Sequence, residues 1–136
     1  MSDLRSSLET LLRRGYDGSF VLIKEPGTER FVQFAKYIRA RGDFGLELGF
    51  PRTTWSGEYY SKLENLLVHE GTVFRRRPVA TDPTTEFLEV DCGKDTELAF
   101  RIAYTILTTI FQIPLSTRLR VRFSNLSLTD ELIDTR

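Results

Sequence analysis

The sequence predicts an α+β fold, a twisted, mainly antiparallel β-sheet with helices packed on it. Three observations carry this expectation. Residues 44–50 alternate strictly between large apolar and small or polar side chains, the period of a half-buried strand. Three other stretches, 3–14, 57–70 and 95–113, repeat their apolar residues at helical spacing. The strands fall in runs between these helices, in the order α-β-β-β-α-β-(β)-α-β, and not in the strict alternation that builds a parallel sheet.

Leu4, Leu8, Leu11 and Leu12 form a single stripe after Ser2 and Asp3, and Gly15 interrupts it, so 3–14 is a short amphipathic helix. Phe20 to Ile23 are consecutively apolar, Glu25-Pro26-Gly27 signals a turn, and Phe31 to Tyr37 resumes the extended pattern, which makes a hairpin. In the next strand Phe44, Leu46, Leu48 and Phe50 share one face and Gly45, Glu47 and Gly49 the other, with Pro51 closing it. The glycine side either admits a close backbone or ligand, or marks a bulge. Residues 57–70 form a helix with Tyr59, Leu63, Leu66 and Leu67 inward, capped by Ser56 or Thr54 and stopped by Gly71. Thr72 to Phe74 is a brief strand, and a loop through Pro78, Asp82, Pro83 and Thr84 leads to the strand Glu86 to Val90. Asp91-Cys92-Gly93 turns into the 95–113 helix, which Pro114 ends. Arg118 to Phe123 is a strand with Leu119, Val121 and Phe123 inward and Arg118, Arg120 and Arg122 outward, and Leu126 to Ile133 adds a helical turn.

At 136 residues with 40% hydrophobic and 28% charged side chains, 1–136 reads as one domain that can bury a core without covalent staples. Nineteen basic and nineteen acidic side chains cancel, so long-range attraction to nucleic acid or to an anionic membrane is not expected. One cysteine excludes an internal disulfide, and one histidine leaves no Cys/His metal framework. The first residues lack the apolar core of a secretory signal, and Ile102 to Ile113 is shorter than the roughly 20 apolar residues that span a bilayer. The cytoplasm is the expected compartment, with no cofactor and no metal.

Candidate chemistry is sparse. Cys92 precedes a helix, where the dipole lowers a thiol pKa, but a nucleophile also needs a base, and His69 on another helix is the sole histidine. A buried structural cysteine and an exposed helix-end histidine are the simpler roles. Glu86 and Glu89 fall on opposite strand faces, while Asp91, Asp95 and Glu97 suit a helix start. No glycine-rich phosphate loop is present. The arginines have two readings. Arg75-Arg76-Arg77 with Arg118, Arg120 and Arg122 form an anion-binding surface on one sheet face, or they are solvated residues paired across strands with Glu47, Glu86 or Glu89. Trp55, with Tyr59 and Tyr60, is either an exposed binding anchor or a satellite core under its loop.

The 95–113 helix is apolar almost all the way round. Leu98, Ile102, Ile106, Thr109 and Ile110 make one stripe, and Ala99, Ala103, Leu107 and Phe111 a second beside it. A sheet covers one; the other calls for a helix of the same domain, a second copy or a client segment.

Phe31-Val32-Gln33-Phe34-Ala35, the alternating strand 44–50, the leucine-bearing helix before Gly71, and the run from Ile106 to Pro114 together resemble the TY-Chap group, small domains related to type III secretion chaperones and YbjN-like proteins. The likeness covers roughly residues 4 to 123. It implies a type III secretion chaperone-like α+β sandwich that binds peptide or protein segments, commonly as a homodimer, and has no reaction chemistry. Two features differ: secretion chaperones tend to be acidic, and many YbjN-like domains carry a tryptophan where this chain has Gly71-Thr72-Val73-Phe74.

The expected function is therefore a non-enzymatic protein- or peptide-binding module, homodimeric through the 95–113 helix, with Phe34, Leu46, Leu48, Trp55, Ile106 and Ile110 near the partner surfaces. The alternatives are a small-molecule pocket or enzyme site near Cys92, His69 or Trp55, and weak nucleic-acid binding through Arg118, Arg120 and Arg122.

Overall fold

The computed structural model describes residues 3–126. In chain order these form α1 (Leu4–Arg14), β1 (Gly15–Lys24), β2 (Phe31–Ile38), β3 (Phe44–Arg52), α2 (Gly57–Glu70), β4 (Arg75–Val79), β5 (Asp82–Gly93), α3 (Thr96–Thr105) and β6 (Arg120–Leu126). The strands make one antiparallel six-stranded sheet in the order β4-β5-β3-β2-β1-β6, so β4 and β6 are its edges. The expected α+β class and element order hold, including the strand left in parentheses.

One sheet face carries the core. Val21, Phe34, Leu48 and Val90 stand opposite one another across four successive strands, and all are buried. Leu4, Leu8 and Leu11 of α1, Leu63 and Leu67 of α2, and Ile102 and Ala103 of α3 close over them. Period-2 strands meeting period-3.6 stripes produce this two-layer arrangement, and burial of apolar area is its main driving force. On the same face lies Lys36, 1% exposed. Its ammonium donates to the Leu12 carbonyl at 2.5 Å and lies 4.8 Å from the Phe44 ring, so a cation answers the carbonyl end of α1.

Several boundaries differ from the sequence expectation for identifiable reasons. β4 is Arg75–Val79 and not Thr72–Phe74, because the Gly71 cap spends those residues: Thr72 N–H bonds back to Leu67 and Gly71 N–H to Val68, with Gly71 at φ 70°. Pro78 is tolerated because β4 is an edge strand. β5 begins at Asp82, whose carboxylate accepts from Thr84 and Thr85, and β3 continues through Pro51, which lies opposite Phe87. β1 begins at Gly15, across a bulge where the Ser19 hydroxyl donates to the Asn125 carbonyl at 2.6 Å. Ser56 precedes α2, but its hydroxyl donates to Pro51 instead of capping the helix. Tyr60 takes the buried position expected for Tyr59. Of the expected terminal helical turn, Leu126 belongs to β6 and the rest lies outside the described residues.

The 95–113 segment is the chief correction. The α-helix ends at Thr105 and a π-helical turn, Ile106–Ile110, follows, with Phe111 N–H bonding to Ile106 at 2.8 Å. The widened turn rotates the stripe. α1 packs on one flank of α3 and α2 on the π turn, so Ile106 and Leu107 are fully buried and Ile110 and Phe111 nearly so. Among the described residues one chain buries most of both apolar stripes, leaving Leu98 half-buried and Thr109 exposed. Ile106 and Ile110, expected at the homodimer surface, are part of the core.

Candidate functional site

The opposite sheet face has no helix on it among the described residues. From the β4 edge it presents Arg75 and Arg77, then Phe87, Glu89 and Asp91 of β5, Glu47 and Gly49 of β3, Gln33, Ala35 and Tyr37 of β2, Phe20, Leu22 and Lys24 of β1, and Arg120 and Arg122 of β6. This assignment follows from pairing, since each alternates with a core residue.

The β4 side of the face is electrostatically closed. Glu89, 6% exposed although no helix covers it, accepts from Arg75 Nε at 2.8 Å and Arg77 Nε at 2.9 Å. Arg75 also reaches Glu47 at 3.3 Å, and Arg77 lies 5.0 Å above the Phe87 ring. Burial, then repulsion from Glu89, raises the Glu47 carboxyl. Next to it the Tyr37 hydroxyl donates to Asp91 at 2.6 Å; burial and that hydrogen bond push the phenol up to about 12. Arg76 points to the helical side, where it pairs with Glu64 of α2. Arg75 and Arg77 thus take the cross-strand pairing that formed one of the two expectations for the β4 arginines, while Arg76 pairs chiefly with a helix.

Gly45 and Gly49 part company. A Cβ on Gly45 would stand 2.5 Å from the Tyr37 hydroxyl and 2.7 Å from the Gly93 backbone, so this glycine admits the bulged end of β5. A Cβ on Gly49 would meet only Phe87, at 3.9 Å. That position is an open gap in the bare face.

The β6 side differs in kind. Lys24 stands directly opposite Arg120, and Leu22 opposite Arg122. Among the described residues neither arginine has a carboxylate partner, and nor does Lys24. Like charges placed opposite each other in a sheet are destabilising, so this pair is a local cost. Arg118 precedes β6 and turns into a groove on the helical side, which corrects the expected three-residue stripe: only Arg120 and Arg122 share the bare face. The groove, about 260 Å³, runs between the start of α1 and β6, with Leu4, Ile23, Leu119 and Val121 apolar and Asp3, Ser116, Thr117 and Arg118 polar. Leu115, 61% exposed, stands at its rim. The two arginine groups lie on opposite edges, about 24 Å apart for strands spaced roughly 4.8 Å, and form no single patch.

The remaining sequence candidates are resolved by burial. Phe34, Leu46, Leu48 and Ile106 are 0% exposed and Ile110 4%, so all five are core and present no docking surface. Trp55 is half-buried in an aromatic cluster, 5.3 Å from Phe31 and 6.3 Å from Phe50 and Phe111. Beside it Arg30 bonds Glu25 and the Phe111 carbonyl, each at 2.7 Å. This is the satellite core of the two readings. Cys92 is buried, and burial followed by the charge of Asp91 pushes its thiol up to about 12, the reverse of an activated nucleophile. His69 is exposed in the last turn of α2. A second cleft of about 350 Å³ between α2 and α3 is lined by Leu66, Glu70, Leu98, Arg101 and Tyr104 among others, and neither it nor the α1–β6 groove includes Cys92, His69 or Trp55. Among the described residues no three His, Cys, Asp or Glu side chains cluster as metal ligands, and no helix is long and apolar enough to cross a membrane.

Sequence reasoning missed Lys24 as a site residue, although its place two residues before the Pro26-Gly27 turn put it at a strand end. No protein-family model, curated protein or solved structure matches the chain.

Proposed function

We propose that the protein is a non-enzymatic binding module that takes an extended, acidic polypeptide segment as an added strand along β6. The observation that carries this reading is the cross-strand pair of Lys24 on β1 and Arg120 on the edge strand β6, with Arg122 beside it; among the described residues none of the three has a carboxylate partner and no strand pairs with the outer side of β6. Every arginine of the other edge is matched. Main-chain hydrogen bonds would hold the client and the cations would select it. The resemblance of the sequence to the TY-Chap group supports the same direction.

Two other occupants fit less well. Two β6 edges joined as copies would bring their arginine rows side by side, a repulsive arrangement. A nucleic acid would leave the strand edge unused and meet a chain of zero formal net charge.

The test is amide shift mapping with a capped acidic peptide as probe. Shifts should centre on 119–126 and Lys24, and the double variant Arg120→Glu, Arg122→Glu, shown folded by circular dichroism, should lose them. Shifts centred on β4 or the α2–α3 cleft would overturn the proposal, as would preferential, salt-sensitive capture of a single-stranded oligonucleotide.

A further inference from the structure

The two sides of β6 differ, and a strand paired with it would be read on both. Arg120 and Arg122 project to the bare face beside Lys24. Val121 pairs with Ile23 on the helical face and, with Leu119, lines the groove that opens toward α1. Groove and edge are continuous because the same residues form both. A strand added outside β6 would alternate its own side chains between these faces. Its odd residues would meet cations while its even residues entered the groove along Leu4, Ile23, Leu119 and Val121, beside the Asp3 carboxylate and with Leu115 at the rim.

We infer that β6 selects extended segments in which acidic and apolar residues alternate one by one. This rests on the reading of β6 as the docking edge and adds to it a sequence rule. Acidic content alone does not satisfy the rule, because a carboxylate directed into the groove would lose water against Leu4, Ile23 and Val121 and meet the Asp3 carboxylate, against which stand the Arg118 cation and the Ser116 and Thr117 hydroxyls. An apolar side chain directed to the other face would leave Lys24 and Arg120 unmatched. The α2–α3 cleft is not part of this reading, since no strand edge adjoins it.

The experiment measures anisotropy of labelled, capped octapeptides with the full chain. The alternating peptide Val-Glu-Val-Glu-Val-Glu-Val-Glu is compared with Val-Val-Glu-Glu-Val-Val-Glu-Glu, which has the same composition and charge but mixes both types on each face. The alternating order should bind at least about tenfold more tightly. The Arg120→Glu, Arg122→Glu variant should lose it and gain Val-Lys alternation. Leu115→Asp, on the exposed groove rim, should weaken the alternating peptide and leave the mixed one unchanged. N-methylation of all valines or of all glutamates tests the edge itself, because alternate N–H groups point to one side of a strand: one methylated form should fail and the other persist. Equal binding of the two orders, with that methylation signature retained, overturns the alternation rule and leaves the edge standing. Binding indifferent to both methylations, or absent altogether, overturns the rule together with the edge.

Discussion

The Lys36 ammonium sits 2.5 Å from the Leu12 carbonyl, a lysine with 1% exposure tying the second strand to the last turn of the first helix. Replacing it by methionine keeps much of the stem packing but leaves a helix-end carbonyl without its donor. Lys36→Met should lower folding stability by about 1–3 kcal/mol, read from urea unfolding. An unchanged midpoint would show that the contact is energetically idle.

Ile106 and Arg120 provide a contrast between core and surface. Ile106→Asp places a carboxylate where the native side chain is 0% exposed, so it should cost upwards of about 4 kcal/mol and act through unfolding, not through a partner surface. Arg120→Glu removes an exposed like-charge contact and should stay within about 0.5 kcal/mol of wild type. Thermal melts of both variants check this. A folded Ile106→Asp protein with altered association would restore the helix as an interface.

The two β3 glycines should respond differently to the same change. Gly45→Ala collides with the Tyr37 hydroxyl and the Gly93 backbone, whereas Gly49→Ala enters open space. The first should destabilise by about 1–3 kcal/mol and the second should be near neutral, by chemical denaturation. Comparable losses at both would mean that strand geometry, not contact, governs these sites.

Burial, then the neighbouring Glu89 charge, raises the Glu47 carboxyl above 4.5, against the pull of Arg75 and Arg39 and with a further push from Asp91. A raised folded value means that the native state holds this proton more tightly than the unfolded chain. The associated stability is fully present below 4.5 and fades as pH climbs through the raised value. Asp91 runs the other way: burial lifts it, but hydrogen bonds from Tyr37 and Gly93 together with Arg39 and Arg75 bring it below 3.8, so its contribution is lost on acidification. Comparing Glu47→Gln with wild type isolates the first effect. Wild type should lose stability relative to the variant as pH rises from the carboxylate range toward neutrality, and a constant difference would refute the shift.

Cys92 should be slow toward thiol reagents under native conditions, since only an opening of the β5 end exposes it. Its labelling rate should rise with denaturant in step with unfolding. Fast native labelling would contradict the burial.

How far the sequence could be read depended on the range of the interaction. The alternation at 44–50 and the leucines of α1 and α2 are local patterns with one geometric meaning, and they led to the right elements. Local pattern did not reveal that Gly71 uses up Thr72 to Phe74, or that a π turn re-aims Ile106 to Phe111. Both depend on where a helix stops, and that is decided by a few backbone hydrogen bonds. The same periodicity marked Phe34, Leu46 and Ile106 as apolar without saying whether anything covers them, which is why core residues stood among the binding candidates.

By itself the sequence determined the α+β class, the order of the elements and the inward face of most strands, because a side chain's direction follows from a repeat a few residues long. The tertiary structure alone decided that α1 packs on α3 and α2 on its π turn, that Arg75 and Arg77 meet Glu89, and that Lys24 faces Arg120 at an edge. Those outcomes depend on sheet order and register, which join residues dozens of positions apart and leave no signature in any one segment.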